Sequence, residues 1–358
     1  MGENPVRFGI LACANIARKV ARAIQLAPNS TLYAIASRSL EKAKQFATAN
    51  GFPSTTKVYG SYEELLDDPG VDVLYMPLPT SLHVQWATLA AQKRKHILLE
   101  KPTALDVAEL DKILEACEAN GVQFMDGSMW LHHPRTSRMK ELLADSTGEV
   151  SFIHSTSTVN EPPEFFDKDI RVNPGLDALG ALGDLGWYCI GAALWAKDYQ
   201  LPNAVTALPG VKQSSAGVIL SCTAALQYDQ HHKTVAIIHC SFFSHSSMDL
   251  AVVGKNASFH LNDFIIPFQE DSAFFDFTRL AKFAELHIGW NVKPEKVVVP
   301  NELPQEALMV QELARLVQGI RKAEHRPDTK WPEKSRKTQM VVDAVKKSID
   351  LGCVPIYL

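Results

Sequence analysis

Between residue 6 and about 127 the chain alternates short, continuously apolar runs with amphipathic stretches long enough to be helices, and nothing else in it constrains the fold so strongly. The runs are Val6 to Leu11, Leu32 to Ala36, Val71 to Met76, His96 to Leu99 and Val122 to Met125, with helices expected from Asn15, Leu40, Ser81 and Asp106. A strand that is apolar throughout has to be covered on both faces, and helix-length connections supply that cover. The expectation is an α/β domain with a doubly wound parallel sheet.

After a helical stretch containing Met139 to Leu143 the texture changes. Longer runs rich in Ser, Thr, Val and Phe follow: Val150 to Val159, Val218 to Tyr228, Thr234 to Phe243 and Met248 to Val253. Short turns such as Asp229-Gln230-His231 and Gly254-Lys255-Asn256 separate neighbouring runs, which predicts a large, mostly antiparallel open sheet. Helical stretches at Gly180 to Trp195, Glu302 to Ala323 and Glu333 to Leu351 make this second domain α+β. The expected division is residues 1–127 and 128–358, with the last helices able to pack back on the first domain.

A chain of 358 residues exceeds the ~250–300 at which one core stops growing, consistent with two domains. Lys and Arg number 36 against 40 Asp and Glu, so no strong basic field invites a nucleic acid. The start lacks a basic segment before its apolar run, and no stretch approaches the ~18 apolar residues of a membrane span, so a soluble, cytoplasmic protein without a membrane partner is expected. Met1-Gly2 is followed by Val6, not the Ser or Thr of a myristoylation signal. Six cysteines without C-x-x-C spacing read as reduced thiols. The pairs His132-His133 and His231-His232 point their rings apart and have no acidic partner at a useful spacing, so no metal is expected.

Where the first strand turns into the first helix stand Ala12, Cys13, Ala14, Asn15, Ile16 and Ala17, the place for a pyrophosphate-binding turn. Ala12 and Ala14 occupy positions that are glycine in the usual fingerprint, and the motif alone fits a purely structural turn equally well. At the end of the second strand come Ser37, Arg38 and Ser39, with Lys42 one turn on. No acidic residue is there to hold a ribose 2′-hydroxyl, while a hydroxyl, a guanidinium and an ammonium suit a 2′-phosphate, so NADP is expected over NAD. Taken singly, Arg38 also reads as a solvated loop charge.

The strand ending in Leu98-Leu99 delivers Glu100-Lys101-Pro102 to the carboxyl edge of the sheet, where such folds bind ligand. Lys101 there could polarise a substrate oxygen and favour the ionised form of a nearby phenol. The plain alternative is a surface ion pair. Further on, Asp184 and Tyr188 are spaced i, i+4, which on a regular helix shares one face. They read equally as a structural carboxylate and a core aromatic.

With Glu100-Lys101-Pro102 and Asp184-Leu185-Gly186-Trp187-Tyr188 in hand, the chain resembles, over nearly its whole length, the Gfo/Idh/MocA family, and within it the dihydrodiol and D-xylose dehydrogenase branch. That resemblance implies a Rossmann-like first domain, NADP, a small sugar, polyol or diol as substrate, and hydride transfer at a CH-OH carbon. It implies that Tyr188, where many members have His, is the acid/base, that Lys101 assists and that Asp184 orients the site. Pro77, Leu78 and His83 resemble the family's loop beside the cofactor, and Trp130 its substrate-pocket tryptophan. Leu131, His132 and His133 stand where the family usually has Arg-Phe. The open sheet's apolar face, which the family often pairs between subunits, implies a homodimer. The segment Phe165 to Arg171 is expected to shape the pocket. Two alternatives stay open: a non-catalytic dinucleotide-binding sensor or scaffold, suggested by the alanines at 12 and 14, and a non-redox reaction with a recycled cofactor.

Overall fold

The computed structural model describes residues 4–228, 234–284 and 289–358, so the turn Asp229-Gln230-His231 and the pair His231-His232 lie outside the described residues. The chain divides into two compact units, Met1–His132 with Leu303–Arg336, and His133–Glu302 with Lys337–Leu358.

In the first unit, β1 (Val6–Leu11), α1 (Asn15–Leu26), β2 (Ser30–Ala36), α2 (Leu40–Ala49), β3 (Lys57–Tyr59), α3 (Tyr62–Asp67), β4 (Val73–Met76), α4 (His83–Gln92), β5 (His96–Leu99), α5 (Val107–Asn120) and β6 (Phe124–Asp126) follow one another. The sheet order is β3-β2-β1-β4-β5-β6, and every pairing is parallel. Strand order reverses between β1 and β4, which opens a crevice at the carboxyl ends of those strands. The apolar runs behave as their composition requires: Phe8, Ile10, Val73, Leu74, Ile97 and Leu98 are fully buried. Helix starts are fixed locally, α2 by the Ser39 hydroxyl, α3 by a Ser61/Glu64 capping box and α5 by Asp106, while Gly121 in left-handed geometry ends α5.

In the second unit, α6 (Pro134–Leu142), β7 (Val150–Asn160), α7 (Pro163–Lys168), α8 (Trp187–Ala196), β8 (Ala204–Ala207), β9 (Lys212–Gln213), β10 (Ile219–Tyr228), β11 (Thr234–Ser241), β12 (Phe243–Gly254), β13 (Ala257–Leu261), β14 (Ser272–Arg279) and β15 (Glu295–Pro300) build the sheet and its cover. Helices α9 (Gln305–Arg321) and α10 (Lys330–Asp350) and the short β16 (Ile356–Tyr357) close the chain. The ten described strands run β15-β14-β13-β12-β7-β11-β10-β8-β16, with β9 on β10. Only β7 and β11 pair in parallel, so the sheet is mixed but mostly antiparallel. Every residue of α8 is buried, as a helix apolar all round must be, and it lies against β7 and β11.

The helix expected at Gly180 to Trp195 is not continuous. A π turn occupies Leu182–Gly186 ahead of α8, and Gly180 enters it with φ +56°. Helix α9 belongs to the first unit, where it packs on α1.

Candidate active site

The turn from β1 into α1 leaves the helix N-terminus open. Its N-cap residue, Ala14, has no side-chain acceptor, and the first turn contains no acidic residue, so the leading N–H groups keep their capacity for an anion. Ala12 has φ +121°, the region that favours glycine. Its N–H donates to the Ala36 carbonyl at 3.1 Å, which ties the turn to the end of β2.

Ser37 is buried at the end of β2, Arg38 and Lys42 are exposed, and the half-buried Cys13 lies with its Sγ 3.9 Å from the Lys42 carbonyl. Burial pushes the Cys13 thiol pKa up, while a hydrogen bond with Ser37 and the Lys42 charge oppose it. Tyr62, not singled out from sequence, completes this cluster. Burial raises its phenol pKa and Arg38 opposes the rise, and its ring meets Trp86 edge-on at 5.0 Å. The structure thus brings together Cys13, Ser37, Arg38, Lys42 and Tyr62; residues 37–40 are free of acids, and the nearest in sequence, Glu41, accepts from the Gln45 side chain at 2.9 Å in α2.

Pro77 and Leu78 are buried after β4. His83, fully buried at the start of α4, has Nε2 2.9 Å from the Leu78 carbonyl and Nδ1 3.1 Å from the Thr103 carbonyl. One ring therefore bridges the loops that follow β4 and β5.

Tyr75 donates its hydroxyl proton to Glu100 Oε1 at 2.6 Å, and the Lys101 N–H donates to Oε2 at 3.3 Å. Burial raises the Glu100 pKa against the Tyr75 hydrogen bond and the Lys101 charge. The carboxyl group lies over Gly127, where an added Cβ would stand 3.1 Å from Oε2, so glycine provides its room. The Lys101–Pro102 peptide is cis. Beside it Asp126, also buried and raised in pKa, accepts from the Ser128 N–H at 2.7 Å and from the Ser335 hydroxyl. Trp130 is 1% exposed, in a short helical turn next to His132, whose ring stacks on Trp331 at 4.5 Å.

In the second unit Asp184 lies in the π turn and Tyr188 in the first turn of α8, with Tyr188 7% exposed. A π turn inserts one residue per turn, so the i, i+4 spacing crosses two helix geometries and does not of itself set both side chains on one stripe. Gly186 seats the turn on the sheet, since a Cβ there would be 3.3 Å from Cys240 Sγ. Asp184 is held from outside the helix. Arg171 Nε reaches its Oδ2 at 3.1 Å, and Arg171 also pairs with Asp169 at 3.2 Å. Sequence reasoning left this arginine unplaced, because a contact across a loop has no periodic signature. Among the described residues no three His, Cys, Asp or Glu side chains converge as a metal site, and no helix is long and apolar enough to cross a membrane.

Two family models match the chain: the oxidoreductase family with an NAD-binding Rossmann fold over residues 6–128, and the Gfo/Idh/MocA C-terminal domain over residues 136–260. The chain belongs to the Gfo/Idh/MocA family. Among its Gfo/Idh/MocA relatives, the D-xylose 1-dehydrogenase (NADP(+)) 2 of Haloferax volcanii is 38% identical over 187 residues, 52% of this chain and 55% of that protein. The trans-1,2-dihydrobenzene-1,2-diol dehydrogenase of Xenopus tropicalis is 30% identical over 234 residues, 64% of this chain and 67% of that protein. A 3-ketoreductase from Actinomadura kijaniata, solved with NADP and TDP-benzene, superposes with a TM-score of 0.80 at 26% identity, covering 96% of this chain and 98% of that one. Across five of the curated relatives that it matches, the chain covers 52% to 64% of their length.

Proposed function

We propose that the protein is an NADP-dependent oxidoreductase that moves a hydride between nicotinamide and a secondary alcohol or carbonyl of a small sugar, polyol or diol. The observation that carries this reading is the cluster at the end of β2. Ser37, Arg38 and Lys42 offer a hydroxyl and two cations with no acidic residue from Ser37 to Leu40, beside the uncapped N-terminus of α1. The relatives named for NADP and for sugar or diol oxidation support the same reading.

In this assignment the backbone of Ala12, Cys13, Ala14, Asn15 and Ile16 receives the pyrophosphate, and Ser37, Arg38 and Lys42 hold the 2′-phosphate. Pro77 and Leu78 flank the cofactor, and His83 keeps their loop in register with the loop after β5. NADP, when bound, supplies the nicotinamide that accepts or gives the hydride. Tyr188 takes the proton from the substrate hydroxyl, or returns it to the carbonyl oxygen, and the Lys101 ammonium favours the ionised phenol and polarises that oxygen. Glu100 fixes the Lys101 backbone, Asp184 orients the site and Trp130 contributes to the substrate wall.

The reading includes a homodimer formed through the open sheet face, where the paired Phe152 and Val253 and the edge residue Val298 are exposed. It also includes a cytoplasmic location, with which six free cysteines agree. The test is thermal unfolding with added nucleotide. NADPH is expected to raise the transition temperature well beyond the effect of NADH, and equal shifts, or none, would remove the cofactor assignment.

A further inference from the structure

The segment between β7 and the π turn carries five acids, Glu161, Glu164, Asp167, Asp169 and Asp177, against two bases, Lys168 and Arg171. One of those bases is spent inside the protein. Arg171 Nε lies 3.1 Å from Asp184 Oδ2, and its terminal nitrogen lies 3.2 Å from Asp169 Oδ1. Asp169 also accepts the Arg171 backbone N–H at 2.9 Å, so main chain and guanidinium are anchored to the same carboxylate. Asp184 raises the guanidinium pKa, with Asp169 adding to it, and Glu161 feels the Arg171 charge as well. Asp169 therefore holds Arg171, and Arg171 holds Asp184, four residues ahead of Tyr188.

We infer that Arg171 is a positioning residue for the reaction: it fixes the Asp184 carboxylate and offsets its charge, so that Tyr188, four residues on in the same helical segment, can ionise. This rests on the proposed assignment of Tyr188 as acid/base. An uncompensated carboxylate near a phenol disfavours the phenolate. Loss of Arg171 must then move ionisation of the catalytic group to higher pH, an effect that mere loosening of a loop would not give. A planar fork that spans two carboxylates is not fully replaced by a lysine, which keeps only the charge.

The experiment measures kcat and KM against pH with NADP+ and the best oxidised of D-xylose, D-glucose and xylitol, for wild type, Arg171→Met and Arg171→Lys. NADPH affinity and thermal unfolding are followed in parallel. Arg171→Met is expected to lower kcat roughly tenfold or more and to shift the ascending limb of its pH profile upward, with NADPH affinity kept. Arg171→Lys is expected to return the limb toward its wild-type position with an intermediate kcat. An Arg171→Met enzyme with an unmoved limb overturns the inference, as does one that loses NADPH affinity and thermal stability together with activity and is not rescued by lysine. A wild-type protein that oxidises none of the three substrates, nor a vicinal diol tested beside them, overturns the functional reading and the inference with it, whereas an active wild type with an unmoved limb overturns the inference alone.

Discussion

Ala12 occupies a backbone position that glycine fills at little cost. At φ +121° its Cβ crowds the neighbouring peptide, and such residues store on the order of 1–3 kcal/mol of strain. Ala12→Gly removes the crowding but loosens the unfolded chain, so a net gain of about 1 kcal/mol is expected, read as a higher denaturant midpoint. An unchanged or lower midpoint would mean that the turn is relaxed with alanine. Arg38 tests a different point. If it holds a 2′-phosphate, Arg38→Ala weakens NADPH by roughly ten- to a hundredfold and leaves NADH almost unaffected, as binding titrations with the two nucleotides would report. Parallel losses for both would place Arg38 outside the phosphate site.

At the scale of elements, the approach of the π turn to β10 sets the position of Asp184 and Tyr188. Gly180 has φ +56°, and a Cβ there would fall 2.1 Å from the Ile219 carbonyl oxygen. Gly180→Ala is expected to destabilise by about 3 kcal/mol or more, adding left-handed strain to a backbone clash, and equilibrium unfolding measures it. A change under about 1 kcal/mol would show that the turn has slack. The same region marks how far the sequence could be read. Runs such as Phe8 to Leu11 and His96 to Leu99 declare buried strands because both faces need cover, and α8 declares itself by being apolar all round. The three-residue β3 escaped because Lys57-Val58-Tyr59 is an edge strand with no buried residue. Strands β13 to β15 were not read from the sequence although Ala257, Phe259 and Leu261 in β13 and Ala273, Phe275 and Phe277 in β14 are buried in alternation with residues such as His260 and Asp276; β13 is only five residues long and β15 has no buried residue. The π turn adds a residue that no 3.6-residue period reveals, and the Arg171–Asp184 pair depends on a loop path that local sequence does not encode. In the candidate cluster after β2, the adjacency of Ser37, Arg38 and Lys42 was legible because local order fixes it, whereas Tyr62 was not, since only the fold brings α3 beside them.

For the whole molecule, sheltered histidines are expected to weaken stability in acid. His133 is 2% exposed, and its Nδ1 accepts the Arg135 N–H at 2.9 Å to cap α6, which requires a neutral ring. Burial, with the Arg135 charge adding, pushes its pKa down to about 4, and burial likewise lowers His96 to about 4 and His132 to about 3. A depressed folded pKa means that the unfolded chain binds the proton more readily. The stability is therefore complete above the unfolded value of about 6.5 and drains away as pH falls toward about 4, with His133 alone contributing roughly 3 kcal/mol. Urea unfolding at neutral pH and near pH 5 should show a clear drop, and a flat profile would mean that these rings are already solvated. Function at this scale turns on a single comparison, hydride transfer between NADP+ and a panel of sugars, polyols and diols by the wild-type protein and by Tyr188→Phe. Wild-type turnover with a loss of about a hundredfold or more in the variant, at unchanged NADPH affinity, is the expected result. A variant that keeps wild-type turnover would contradict the assignment of Tyr188, and a wild type that binds NADPH but reduces or oxidises nothing in the panel would contradict the redox function itself.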